Sequence, residues 1–472
     1  MKAVVMGAAV LLSTVANAQY WKAMGKGPTS IYEIQGLYCD SIANRLLACG
    51  TFDAIMNEED TVEAHGQAVW NGFRWDSLAH RIVEGHGQTY WFIRFQGDLY
   101  SSGANLFLNS EGEVNNSLAR LNEQTQFWEA LECVNGPFNG LQHLVPRIPN
   151  STLYATGYPG TLCGQATSNV YTYDGSTFTP WAPFDQVEYD SDNYVGTVFD
   201  YKGKTYVSGD FSDPLGQGYS TFMRWSGTQW EYVPGWNNSG ILKNVLVHND
   251  TLYVVGAFHT AAGAPGNMVA RFNGDNWDDL GGGLGYFPVD QNGVGLSLGF
   301  YHGELVVTGQ FNRAGGVEVD RIAKWDGQRW CGYPGDFQGG ALINSLAVWR
   351  DTLYVAGGFN AIDGEPIRQV AQWIGGDAVG NCSPVGIAEH PATHSPSLTA
   401  TPLGPPGHWR VELPFVGLWT LIAYDATGRQ IATWATQGNG QAIDLAAQAP
   451  GIYLLRATGA GGASLAGKVV RP

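Results

Sequence analysis

Four carboxylates crowd one short stretch of the 472-residue chain: Asp185, Glu188, Asp190 and Asp192 in "DQVEYDSD". Hard oxygen ligands at this density have the chemistry of a calcium site. No Gly and no terminal Glu fall in the register of an EF-hand loop, so a plain solvated acidic loop is the alternative. Calcium is the one cofactor the residue pattern suggests. Glu58, Glu59, Asp60 and Glu63 form a second acidic group with the same two readings. The motifs of common catalytic machinery are missing: there is no Gly-X-Ser-X-Gly, no His-Glu-X-X-His and no phosphate-cradling loop. Nor do the ten histidines fall at metal-ligand spacings. Hydrolysis by two carboxylates needs only that the fold bring two acids together, so a carbohydrate-active enzyme stays open.

Six cysteines offer redox chemistry or disulfides. Cys39 and Cys49 flank "DSIANRLLA", and a turn centred on Asn44 would set them opposite one another for a cross-strand bond. Cys331 with Cys382 and Cys133 with Cys163 would complete the set, on proximity within a repeat alone. Disulfides belong to an exported chain. The first 18 residues read as a signal peptide: Lys2, an apolar run from Ala3 to Leu12, then Ala16-Asn17-Ala18. That run is too short to span a bilayer, and no other segment is long enough, so the mature chain is expected to lack a membrane span. A formal net charge of −17 argues against nucleic acid and anionic lipid as partners.

With 64 Gly, 17 Trp and 22 Tyr but only 14% charged residues, the composition suits an all-β protein of short strands and tight turns. A phrase recurs: "LLACGTF", "DLYSSGAN", "TLYATGY", "KTYVSGDF", "TLYVVGAF", "ELVVTGQF" and "TLYVAGGF". Its glycines are Gly50, Gly103, Gly157, Gly209, Gly256, Gly309 and Gly357, spaced by 47 to 54 residues. A period of about fifty is that of a propeller blade. Most units also carry an aromatic hairpin ("WNGFRW", "YDGSTF", "WSGTQW", "FNGDNW", "WDGQRW"), whose Asn-Gly and Asp-Gly predict type I′ turns. Aromatics in phase with a repeat are read as packing between sheets.

These features resemble kelch-type propeller repeats, over Gln19 to Cys382. The resemblance implies a seven-bladed β-propeller at residues 19–382. The seventh unit, around Trp373, ends without the Trp-bearing fourth strand of its predecessors. "YWKAMGKG" at the mature N-terminus has Trp21 and Gly25 spaced like Trp277 and Gly281, so it is expected to supply that strand and close the ring. The long connections would share one face, where a glycan or protein ligand would bind.

From 383 to 400 the chain is rich in Pro, Ser, Thr and Ala, a linker composition. Short alternating runs follow across 401–472 and predict a small β-sandwich. Tyr424, Asp425, Gly428 and Arg429, then Ile443-Asp444-Leu445, Gly451, Tyr453 and Lys468 resemble the type A C-terminal sorting domain of the type IX secretion system. The Asn-Pro usual near the start of that domain is replaced by "TPLGPPG". The resemblance implies passage across the outer membrane by that machinery and a final location on the surface or outside the cell. Together these readings favour an exported binding protein, with an extracellular carbohydrate-active enzyme and a structural adhesion or matrix component as the alternatives.

Overall fold

The computed structural model describes residues 19–471 apart from 30–31, 80–88, 109–113, 132–140, 148–151, 161–167, 185–193, 217–218, 237–239, 260–265, 288–292, 341, 384–397, 414–417, 426–427 and 460–463. Expectations for the leader, for Cys133 and Cys163, and for Asp185, Glu188, Asp190 and Asp192 lie outside the described residues. The chain divides into two compact units, Met1–Ala388 and Glu389–Pro472.

The first unit is all-β and propeller-like. Seven four-stranded antiparallel sheets follow one another among the described residues, each with neighbouring strands hydrogen-bonded in order. Their first strands are Ile34–Asp40, Thr89–Phe95, Leu141–Arg147, Tyr194–Tyr201, Leu242–His248, Val294–Tyr301 and Ile343–Trp349. Each first strand packs against the first strand of the next sheet, and the seventh packs against the first. Second strands such as Thr352–Gly357 and Arg45–Gly50 are buried along almost their whole length. That follows from their continuous apolar runs, since a strand covered on both faces gains nothing from alternation.

The sheets meet through shared apolar layers. Leu37, Leu46 and Trp75 of the first sheet lie in one cluster with Trp349, Tyr354 and Val370 of the seventh. In five of the sheets paired aromatics close the third-to-fourth strand turn, with Trp70–Trp75 at 5.2 Å and Trp325–Trp330 at 5.5 Å between ring centroids. Their turns differ from the expected type I′. Four residues separate the paired aromatics, positive φ falls on Gly72 or Gly327 and on none of the other three, and the preceding side chain closes the loop. Asn71 Oδ1 accepts from the Phe73 and Arg74 amides, and Asp326 Oδ1 from those of Gln328 and Arg329. An Asx turn can do this because its short side chain stands in for a backbone acceptor. Asn122 makes the same closure in the second sheet, which lacks the Gly.

The seventh sheet takes its fourth strand from the N-terminus: Trp21 pairs with Trp373, Lys22 with Gln372 and Ala23 with Ala371. Trp21 is 1% exposed, donates from Nε1 to Pro334 O at 2.8 Å and stacks edge-on to Trp373 at 4.9 Å. Gly25 and Gly281 both adopt left-handed φ, +69° and +67°, four residues after their tryptophans. A disulfide joins Cys331, in the last strand of the sixth sheet, to Cys382. Cys39 and Cys49 are free thiols, a correction to the expected bond. The turn spans four residues, 41–44, so Asp40 faces Arg45, Cys39 faces Leu46 and Cys49 faces Gly36. Cys49 is fully buried, and burial pushes its thiol up to about 12.

The second unit has two antiparallel sheets sharing one core. Thr399–Pro402, His408–Glu412 and Gly440–Asp444 form one. Gln430–Thr436, Trp419–Tyr424, Gly451–Gly459 and Ser464–Arg471 form the other, with Trp409, Val411, Leu421 and Leu455 between them.

Two outcomes follow. Trp21→Ala should lower the stability of the first unit by about 3–5 kcal/mol, as for other buried Trp truncations, read by chemical denaturation. Asp40 is wholly buried and salt-bridged to Arg94 at 2.7 Å and Arg45 at 2.9 Å. Burial pushes its carboxyl up, but the Arg94 and Ala43 hydrogen bonds and the two guanidinium charges outweigh that and hold it below its usual value. A lowered folded-state pKa contributes stability above the unfolded value that is lost as pH falls through the folded one. Arg94→Met should therefore cost about 3 kcal/mol near neutral pH and move acid unfolding to higher pH, measured by thermal melts between pH 7 and 3.

Candidate functional site

The first strand of every sheet in the first unit carries one extra residue near its start. Pairing slips between Ile34 and Gly36, Thr89 and Trp91, Leu141 and His143, Val195 and Thr197, Leu242 and Asn244, Gly295 and Ser297, and Ile343 and Ser345. The bulged residues are thus Gln35, Tyr90, Gln142, Gly196, Lys243, Leu296 and Asn344. A bulge bends its strand and re-aims a side chain. In each case the partner where the slip begins is the repeat glycine: Gly50, Gly103, Gly157, Gly209, Gly256, Gly309 and Gly357.

That contact explains the recurrence of glycine. A Cβ on Gly209 would lie 2.0 Å from Tyr194 O, on Gly309 2.1 Å from Val294 O, and on Gly256 2.3 Å from Ile241 O. These are backbone carbonyls that cannot rotate aside. None of these three glycines has a left-handed φ, so the requirement is space for the bulged strand. Neighbouring first strands are also tied laterally: the Leu37 amide donates to Ser345 Oγ at 3.0 Å and the Leu346 amide to Ser297 Oγ at 3.3 Å.

In six of the seven sheets the first and second strands join by a described tight turn at the far end, so the bulges lie at the end shared with the long connections. Several of those connections are β-hairpins instead of open loops. Ala54–Met56 pairs with Thr61–Glu63 and also with Gly27–Pro28. The Glu58–Glu63 group is accordingly dispersed: Asp60 is held by Arg74 at 2.8 Å and by Asn57, and Glu63 faces His65. Among the described residues no group of three His, Cys, Asp or Glu is placed to hold a metal ion.

A cavity of about 330 Å³ opens among the first strands of the second to fifth sheets. Three bulged residues line it, Tyr90, Gly196 and Lys243, beside Trp91, Tyr194, Thr197 and Asn244. Leu144, Val145 and Leu242 form part of its apolar wall. Gly196 leaves room for the Tyr194 ring, whose Cε1 would stand 3.1 Å from a Cβ there. Partial burial pushes the Tyr90 phenol up from its ordinary pKa. Lys243 is exposed. On another arc of bulges, Asn344 Nδ2 donates to Glu33 Oε2 at 2.8 Å and to Ile34 O at 3.1 Å, so that polar group is internally satisfied. Of the cavity residues only Tyr194, at the end of the long connection "APFDQVEYDSDNY", lies where the sequence leads one to expect binding. A signal existed: in five sheets the bulged residue lies thirteen positions before the repeat glycine, and in the first and third fifteen.

In the second unit the expected sorting residues divide between one turn and the strands beside it. Asp425 accepts from the Arg429 backbone at 3.1 Å and pairs with its Nε at 3.0 Å, while Gly428 takes φ +82°. Tyr424 pairs with Leu454, Lys468 also faces Leu454, and Gly451 faces Arg471. The buried Tyr453 donates its hydroxyl to Ala449 O. A shallower depression there, between Trp419, Ala435 and Thr458, has no ionisable side chain in its lining.

No family model and no curated protein matches this chain. Solved structures with a similar course include the extracellular domain of a B. thetaiotaomicron one-component system, at 10% identity and TM-score 0.43, covering 97% of this chain and 60% of that one. The extracellular domain of a hybrid two-component system from the same organism follows at 12% and 0.38, covering 92% and 56%. PorZ, a surface component of the type IX secretion system of Porphyromonas gingivalis, stands at 11% and 0.27, covering 93% and 81%. This chain spans less than two thirds of the first two. No helix among its described residues is long and apolar enough to cross a membrane.

Gly209→Ala and Gly309→Ala should each destabilise the first unit by about 1–3 kcal/mol through overpacking. Gly438→Ala, whose nearest neighbour would be 3.9 Å away, should be near neutral in the same thermal melts.

Proposed function

We propose that this chain is an exported binding protein of the cell surface or extracellular medium. Its first unit is a seven-bladed ring closed by Trp21–Ala23, and it takes a glycan or protein ligand at the end where the bulges lie. Its second unit is the sorting device read by the type IX secretion machinery. The observation that carries the binding role is the recurrence of one bulge per first strand, which gathers a set of side chains at one end of the unit. Contact between the seventh and first sheets supports the closed ring. The Cys331–Cys382 disulfide supports an oxidising destination. The separate core of the second unit, with Asp425, Gly428 and Arg429 consumed in one tight turn, supports a detachable address.

The test has two arms. In a bacterium with a working type IX system, the full chain should reach the surface or medium, and a chain ending at Ala388 should stay in the periplasm. Equal export of both would remove the sorting role. The purified mature chain should also retain specific ligands on glycan and protein arrays; retention of none would remove the binding role.

A further inference from the structure

We infer that the cavity between the second and fifth sheets binds a small acidic saccharide, one or two sugar rings bearing a carboxylate of the uronic-acid type. The inference rests on the binding role proposed above and names its ligand class. A volume of about 330 Å³ sits at the small end of ligand sites, which run from about 300 to 1,000 Å³, and suits one or two rings. Trp91, Tyr90 and Tyr194 bring flat aromatic surfaces to the lining, and the C–H face of a pyranose packs well on such rings. Asn244 offers both amide donors and an acceptor, and Thr197 a hydroxyl, which match the mixed donor and acceptor character of sugar hydroxyls.

Lys243 supplies the charge. It is the bulged residue of its strand, and no ion pair joins it to a carboxylate among the described residues. Lys202, Lys204 and Lys324 pair with Asp250, Glu231 and Glu304; Lys22, Lys26 and Lys468 share the lack of such a pair but do not line the cavity. What distinguishes Lys243 is its place: it is the one lysine in the lining of this cavity, beside Tyr90, Trp91 and Tyr194. One ammonium with no guanidinium beside it fits a single carboxylate better than a phosphate, which draws several donors.

The experiment is calorimetric titration of the purified mature chain with a glucuronate-containing disaccharide and with its neutral glucose counterpart. The acidic sugar should bind at least about tenfold more tightly, the scale of one charge-assisted hydrogen bond. Lys243→Gln should abolish that preference while leaving the melting temperature unchanged, because the side chain is exposed. Lys243→Arg should retain it, and Trp91→Ala should weaken both sugars. Equal affinity for the two sugars, an unaltered preference in Lys243→Gln, or binding of neither would each overturn the inference. Array ligands whose binding ignores Lys243 would leave the broader binding role standing and remove only this one. Failure of every glycan and protein ligand would remove both.

Discussion

The seventh sheet of the first unit is completed by one short pairing, Trp21–Ala23 against Ala371–Trp373. A sheet of three strands whose edge faces water exposes unpaired amides and carbonyls, and that edge invites pairing with another chain. The N-terminal strand covers the edge and inserts Trp21 among Tyr333, Phe337 and Trp373. It joins residues more than 300 positions apart in the chain. The Cys331–Cys382 bond fastens the chain beyond the last sheet to the sixth, close to the same seam.

From that frame the bulges acquire their meaning. Sheets packed face to face bring their first strands together, and a regular strand would send alternate side chains into the neighbouring sheets. One extra residue per strand re-aims the chain locally, and the repeat glycine gives way to the displaced carbonyl. The strongest periodic signal in the sequence is thus a packing requirement whose consequence is functional. It fixes where a variable residue is presented, while leaving that residue free to be Gln, Tyr, Gly, Lys, Leu or Asn. Tyr90, Gly196 and Lys243 use this freedom to build an aromatic and cationic cavity in an acidic protein.

Much of this frame was legible in the residues. The glycine period, the paired hairpin aromatics and the shared Trp-X-X-X-Gly of Trp21/Gly25 and Trp277/Gly281 all record local backbone demands, which sequence states directly. What escaped was register. The turn after Asp40 has four residues, and Asp40 is clamped from another sheet by Arg94, so Cys39 slides out of line with Cys49. The hairpin turns were misjudged because Asn71 and Asp326 act through their side chains, an option that the Asn-Gly and Asp-Gly pairs do not reveal. The cavity escaped for a similar reason: Trp91 and Lys243 lie far apart in sequence, and only the stacking of first strands brings them together.

The most direct test of the account is hydrogen exchange of the mature chain, followed by mass spectrometry on peptides covering residues 20–24 and 370–373. If the N-terminal strand completes the seventh sheet, its amides should be protected to the same degree as those of Val370–Trp373 and should lose protection together with them in denaturant. Exchange of residues 20–24 at the rate of a free chain, while Thr352–Gly357 stays protected, would contradict the account.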